Sequence, residues 1–226
     1  MPFAHCDLRA HDGGMTHQHT ERPDDHFTRE FWDERYGTEQ VWSGNPNPHL
    51  VTYASQLPPG TALDFGSGEG ADAIWLAQQG WQITGIDIST VALESSAARA
   101  ERLGLTATWQ QADAFDWSAG PTYDLVSAQF MHLPRSAFVR LHRELAASVA
   151  PGGALLIVGH HPDDLGHAPE GKTFDDIRFT AEEVAATLDP ADWDTIDALR
   201  PEREWIDRDG HPAVAVDAVL RAVRRT

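Results

Sequence analysis

Cysteine is almost missing from this chain: Cys6 is the only one in 226 residues. A single thiol excludes an intramolecular disulfide and a zinc site built from cysteines. Cations are scarce too, with 17 Lys and Arg against 35 Asp and Glu, a formal net charge of −18. Phosphate backbones are bound by cations that displace counterions, so a chain this acidic is a poor partner for nucleic acid or an anionic membrane. No apolar run approaches the ~20 residues needed to span a bilayer. Residues 1–25 also lack the apolar stretch of a secretory signal. These absences leave a soluble, cytoplasmic protein as the expectation, long enough to bury a real core.

What is present falls into three parts. Residues 1–25 carry Gly13-Gly14 and the histidines His5, His11, His17 and His19 with no sustained period, and read as a mobile arm. The spacing of those histidines is too irregular for a metal site. From Asp25 to Gly37 aromatics at helical spacing predict a short helix, and Val41–Pro48 (VWSGNPNP) a Pro/Gly/Asn loop. Residues 26–50 are thus read as a lid segment on a single domain, 26–226. From Thr61 on, apolar runs alternate with helical stripes. The predicted strands are Ala62–Phe65, Gln82–Ile86, Ala107–Gln110, Leu125–Ala128 and Ala154–Val158; the helices are Ala71–Gln79, Thr90–Leu103 and Arg135–Val149. Ser89 is placed to cap the second helix, and Gly104 and Gly152 to end the second and third. This β-α-β-α rhythm specifies an α/β fold, a doubly wound, mostly parallel sheet between two helical layers. After Thr180 a helix (Ala181–Leu188) precedes Trp193–Leu199 and Ala213–Arg221, a strand pair that would bring in an antiparallel member.

The strongest local signal is LDFGSGEGAD, Leu63–Asp72. A strand ends, three glycines alternate with other residues, and a helix begins; glycine allows the sharp turn and lets a ligand reach main-chain atoms. Gly66, Gly68 and Ala71 also satisfy the loose dinucleotide pattern G-x-G-x-x-G/A, and Asp87 follows at the offset of a ribose-binding acid. A nicotinamide dinucleotide and an adenosyl sulfonium both fit that far. Asp64, Glu69 and Asp72 would repel a pyrophosphate, whereas Asp64 suits a ligand ammonium. Ala112-Asp113-Ala114-Phe115 supplies an acid and a ring where an adenine would lie.

These residues resemble the class I S-adenosylmethionine-dependent methyltransferases from about Asp25 to the C-terminus. LDFGSGEGADA is similar to their first motif, GIDIS ending near Asp87 to the second, QADAF to the third, and Ala150-Pro151-Gly152-Gly153 to the turn before their fifth strand. The resemblance implies a Rossmann-like sheet of seven strands with the last antiparallel, and S-adenosylmethionine as cofactor, leaving as S-adenosylhomocysteine. It implies that Gly66, Gly68 and Gly70 meet the cofactor's methionine part, Asp87 its ribose and Asp113 its adenine, with Ser67, Ile88, Ala114 and Gln129 beside them. FWDERYG and VWSGNPNP look like the entrance segment of the thiopurine and tellurite-resistance branch. Arg35 would meet the cofactor carboxylate, and Trp42 would cover the sulfonium by cation–π attraction; Trp32 is better read as docking the helix.

The fourth strand runs into Gln129-Phe130-Met131-His132. The Asn/Asp-Pro-Pro-aromatic of amino-methylating nucleic-acid enzymes is absent there, which favours a small-molecule acceptor over DNA or RNA. His132 is the candidate general base, or else a histidine bonded near a helix start. His160 and His161 open a loop running to about Phe179, and one of them should face the cleft; adjacent histidines chelate a single ion poorly, so no metal is expected. The expected protein is a monomeric or homodimeric enzyme methylating an O, N or S nucleophile. Its rivals are an NAD-dependent oxidoreductase and a non-catalytic cofactor sensor.

Overall fold

The computed structural model describes residues 27–38, 40–164, 177–206 and 212–226. The arm expected over 1–25 lies outside them, as does the middle of the loop after His161. In chain order the elements are α1 (Arg29–Thr38), α2 (Pro48–Ala54), β1 (Thr61–Phe65), α3 (Ala71–Gln78), β2 (Gln82–Asp87), α4 (Thr90–Arg102), β3 (Thr108–Gln111), β4 (Tyr123–Gln129), α5 (Arg135–Ala147), β5 (Val149–His160), α6 (Ala181–Ala185), β6 (Trp193–Leu199), β7 (Glu202–Ile206) and β8 (Pro212–Arg224).

The strands lie in the order β3-β2-β1-β4-β5-β8-β6, and β7 pairs only with β8. β1 to β5 are mutually parallel, whereas β8 runs antiparallel to both β5 and β6. Successive side chains alternate faces, so Ala62 and Leu125 pack with Leu50, Leu76 and Trp81 of one layer. Leu63 and Val126 pack with Phe138, Leu141 and Val184 of the other. Each fully buried leucine of this kind contributes about 1.5–3 kcal/mol of transfer free energy. The sheet is therefore covered on both faces, which is why its strands read as near-continuous apolar runs.

The structure differs from the sequence expectation in four places. Pro48, read as the end of a loop, starts α2: the Asn47 side chain accepts the His49 N–H at 2.8 Å, and proline suits a first helical position. Val149, read as helical, begins β5 instead, because α5 closes at Ser148. Gly152 does not follow a helix; its φ of +77° bends the chain inside β5. Finally there are eight strands among the described residues, since Glu202–Ile206 forms a hairpin with the first half of β8. β8 is antiparallel, so this hairpin extends past the carboxyl edge of β5.

Candidate functional site

The loop from β1 to α3 folds back on β2. Gly66 N–H and Ser67 N–H both donate to the Ile86 carbonyl, at 2.8 and 2.9 Å. Gly66, Gly68 and Gly70 all have left-handed φ, +76°, +51° and +74°; side chains rarely adopt these angles. Asp87 locks the turn, its Oδ2 accepting the Gly68 N–H at 2.8 Å and its Oδ1 the Ser89 N–H at 2.9 Å. Ser89 caps α4 as expected, its hydroxyl accepting the Ala92 N–H. The same hydroxyl donates to Asp33 of α1 at 2.7 Å, which fastens α1 over the start of α4.

A cavity of about 500 Å³ opens at this carboxyl edge. Gly66, Ser67, Gly68, Asp87, Ile88, Asp113, Ala114, Gln129, Trp42, His132 and His160 line it, all of them singled out from the sequence. Four expected residues do not. Asp64 is 2% exposed behind the glycine loop. Gly70 turns away: a Cβ there would lie 2.8 Å from Ser96 Oγ and 2.9 Å from the Trp109 ring, so this glycine serves packing. Arg35 holds its guanidinium 5.8 and 5.9 Å from the Trp32 and Trp42 ring centres, bridging the two rings rather than lining the cavity. His161 accepts the Asp163 N–H on Nδ1 at 3.0 Å and caps its own turn.

The acids of the loop do something the sequence did not suggest. Glu69 Oε2 accepts the Val41 and Trp42 N–H groups at 3.1 and 2.9 Å, and Asp72 Oδ1 accepts the Asn47 N–H at 2.6 Å. The entrance segment is thus clamped by the glycine loop itself. Trp42 Nε1–H donates to the Tyr36 hydroxyl at 2.9 Å, and Tyr36 stacks on Trp32. Burial raises Asp72 to about 6 against the Asn47 hydrogen bond. Burial, then the Asp72 and Asp87 charges, raise Asp64 well above the ordinary carboxylate range. Asp87 is also raised by burial, against three backbone N–H groups.

His132 does not have the geometry of a general base. Its Nε2 accepts the His160 N–H at 3.1 Å, so the ring proton sits on Nδ1. Burial, then the neighbouring His160 and Arg178, lower it to about 3. Its ring stacks on His160 at 5.1 Å, and His160 Nδ1 lies 2.8 Å from Asp164 Oδ2. Between them Phe130 takes a φ of +52°, an outlier for a bulky side chain, which brings its ring 4.7 Å from that of His160.

Four polar cavity residues were not found from the sequence: His49, Arg203, Glu204 and Asp217. His49 Nε2–H and Arg203 Nε–H both donate to Asp217 Oδ2, at 2.9 and 2.8 Å. The one signal was an acid inside the apolar run AVAVDAVL of β8; His49 and Arg203 gave none.

The donor set fits an adenosyl sulfonium. Buried Asp64 Oδ2, Ser67 Oγ and Gln129 Oε1 have no hydrogen-bond partner. Gly68 leaves open a cradle in which a Cβ would meet Tyr36 and Trp42 at 3.0 and 3.2 Å. No helix among the described residues is long and apolar enough to cross a membrane.

Comparison with known proteins agrees with this geometry. Residues 62–153 match the methyltransferase domain family. Among curated proteins the chain is 32% identical over 106 residues to the ribosomal RNA small subunit methyltransferase C of Alcanivorax borkumensis, covering 45% of this chain and 33% of that one. It is 28% identical over 192 residues to the thiopurine S-methyltransferase of Bordetella petrii, covering 72% and 86%. The chain thus spans about a third of the former relative's length. Among solved structures, TehB from Haemophilus influenzae superposes with a TM-score of 0.66 at 20% identity, covering 88% of this chain and 67% of that one, a likeness of fold. Glycine loop, strand order and family match together support a class I S-adenosylmethionine-dependent methyltransferase fold, with residues 62–153 similar to the methyltransferase domain family.

Proposed function

We propose that the chain transfers a methyl group from S-adenosylmethionine to an O, N or S nucleophile of a small molecule. One observation carries the reading. Among the described residues lining the cavity, Glu69, Asp72, Asp87, Asp113, Glu204 and Asp217 are carboxylates and Arg203 is the one Arg or Lys. A chamber of that sign attracts a sulfonium and an ammonium and repels the diphosphate of a dinucleotide. The net charge of −18, and an entrance segment bonded to the glycine loop over the cavity, support a small acceptor over a nucleic acid.

Gly66, Ser67, Gly68 and Gln129 would hold the methionine end of the cofactor, Asp87 its ribose, and Ile88, Asp113 and Ala114 its adenine. The buried Asp64 would act on the ammonium through space from behind the loop. When bound, the cofactor supplies an electrophilic methyl, whose carbon–sulfur pair stays on sulfur as the acceptor's lone pair takes the carbon. The protein's own task is then to align the acceptor and exclude water. Trp42, Tyr36 and Trp32, within the proposed lid of residues 26–50, close one side; Phe130 and His160 form the acceptor wall.

Calorimetry with S-adenosylmethionine, S-adenosylhomocysteine and NAD tests the reading. Binding of the first two with release of methylated product from a panel of small thiols, amines and phenols is expected. Binding of NAD alone would refute it, and cofactor binding without turnover on any acceptor would make the chain a sensor.

A further inference from the structure

β8 brings a buried carboxylate, Asp217, into the cavity wall. Asp217 is 1% exposed and stands opposite His160 in the antiparallel β5–β8 ladder. Opposed residues on such strands share a face, and both side chains line the cavity. Burying an unpaired carboxylate is costly, yet only Oδ2 is engaged, by His49 and Arg203; the equally buried Oδ1 has no partner. Burial works to raise this carboxyl, but the hydrogen bonds from His49 and Arg203 and the Arg203 charge outweigh it and hold it below the ordinary range. Asp217 is therefore an anion with one oxygen turned toward no protein donor.

That anion orients the His49 ring. A carboxylate only accepts, so the His49 proton lies on Nε2, and Nδ1 is the ring's basic atom. A neutral imidazole oriented by a buried carboxylate is the arrangement that makes histidine an effective proton acceptor. His49 rides at the start of α2, fixed by its backbone bond to Asn47, whose own N–H is held by Asp72. Closing the entrance segment on the glycine loop thus also sets the His49–Asp217 pair.

We propose that His49 and Asp217 form the acceptor's deprotonation site, and that the acceptor is a hydroxylated aromatic compound. This deepens the methyltransferase reading and rests on it. The acceptor O–H proton passes to His49 Nδ1, its electron pair stays on oxygen as the nucleophile, and Asp217 stabilises the imidazolium until water removes the proton. A thiol, with an ordinary pKa of about 8.5 against about 10 for a phenol, ionises more readily and needs such a pair less than a phenol does. The Phe130 and His160 rings, 4.7 Å apart and tilted 49° to each other, give an aromatic wall to one side. Besides His49 and Asp217, the titratable or charged groups lining the cavity are Tyr36, Glu69, Asp72, Asp87, Asp113, His132, His160, Arg203 and Glu204.

The test is ionisation of a bound phenol, read without turnover. 4-Nitrophenol is titrated with the full chain saturated with S-adenosylhomocysteine at about pH 6, where free 4-nitrophenol is mostly protonated and colourless. The wild-type chain is expected to show the yellow phenolate. His49→Gln and Asp217→Asn should each reduce the bound phenolate at least tenfold while S-adenosylhomocysteine affinity stays within twofold. His49→Gln keeps the proposal falsifiable if Asp217→Asn fails to fold, since His49 lies nearer the surface. With S-adenosylmethionine, the rate on phenol should fall by roughly 10²-fold or more in His49→Gln, and on thiophenol by far less. Cofactor-product binding with no phenolate in the wild type, or an undiminished phenolate in His49→Gln, would overturn the dyad alone. Absence of cofactor-product binding would bring down the methyltransferase reading with it.

Discussion

Asp87 and Gly68 are one unit: the carboxylate at the end of β2 accepts the N–H of the glycine where the β1–α3 loop turns, at 2.8 Å. An acid proposed for the ribose therefore also shapes the loop proposed for the methionine part. Asp87→Ala removes both at once and should weaken S-adenosylmethionine binding at least tenfold, about 1.4 kcal/mol. Gly68→Ala acts on the other partner, since its φ of +51° strains any side chain and its Cβ meets Tyr36 and Trp42 of the lid. It too should lose at least tenfold, with calorimetry as the measure. A folded variant of either kind that binds as the wild type does would remove the unit from the cofactor site.

Much of this was legible in the sequence, for identifiable reasons. The parallel strands announce themselves because helices cover both faces, and the glycine loop because three left-handed positions in five residues admit little else. The rest depended on pairing. β7 is polar on a hairpin and shows no apolar run to find. His49, Arg203 and Asp217 are scattered over 49–217 and meet only because β8 reverses direction beside β5. Glu69 and Asp72 were read only as acids that would repel a pyrophosphate; both also accept main-chain N–H groups of the entrance segment, a role no local pattern encodes.

The pH dependence of the unliganded chain should carry the mark of Asp72. Its carboxyl is raised by burial to about 6. A folded-state value above the unfolded one means the folded chain binds more protons between the two, so this group's contribution falls as pH rises through that window. Asp72→Asn keeps an oxygen for the Asn47 N–H and abolishes the cost. Its thermal stability relative to wild type should be unchanged at about pH 3.5 and higher at about pH 7.5, with weaker cofactor binding at the upper value. A pH-independent difference would show that Asp72 does not titrate there. His132, lowered to about 3, and His142, lowered by burial to about 4, act with the opposite sign, losing stability as pH falls below the ordinary histidine range.

The clamp on the entrance segment is open to direct measurement. Glu69 accepts two main-chain N–H groups, and hydrogen bonds to a charged group contribute about 1.5–3 kcal/mol each. Glu69→Ala should speed amide hydrogen exchange at Val41 and Trp42 at least tenfold and raise the cofactor dissociation rate by a similar factor. Exchange unchanged at both amides would mean that Asp72, Tyr36 and Arg35 hold the segment without it.

Phe130 separates packing from function. Holding a phenylalanine at φ +52° costs about 1–3 kcal/mol, and glycine at the same position relieves it. If the strain is kept because the ring forms the acceptor wall, Phe130→Gly should change unfolding free energy by about 1 kcal/mol or less, relief offsetting the lost ring contacts. Methylation of an aromatic acceptor should nonetheless fall at least tenfold through KM, since the removed ring lines the cavity beside His160 and meets the core only at its edge. Phe130→Leu is the complement, keeping the strain and part of the apolar surface, and should be the less stable of the two while retaining more activity. A glycine variant that is strongly destabilised yet fully active would reverse the assignment and make Phe130 a structural residue.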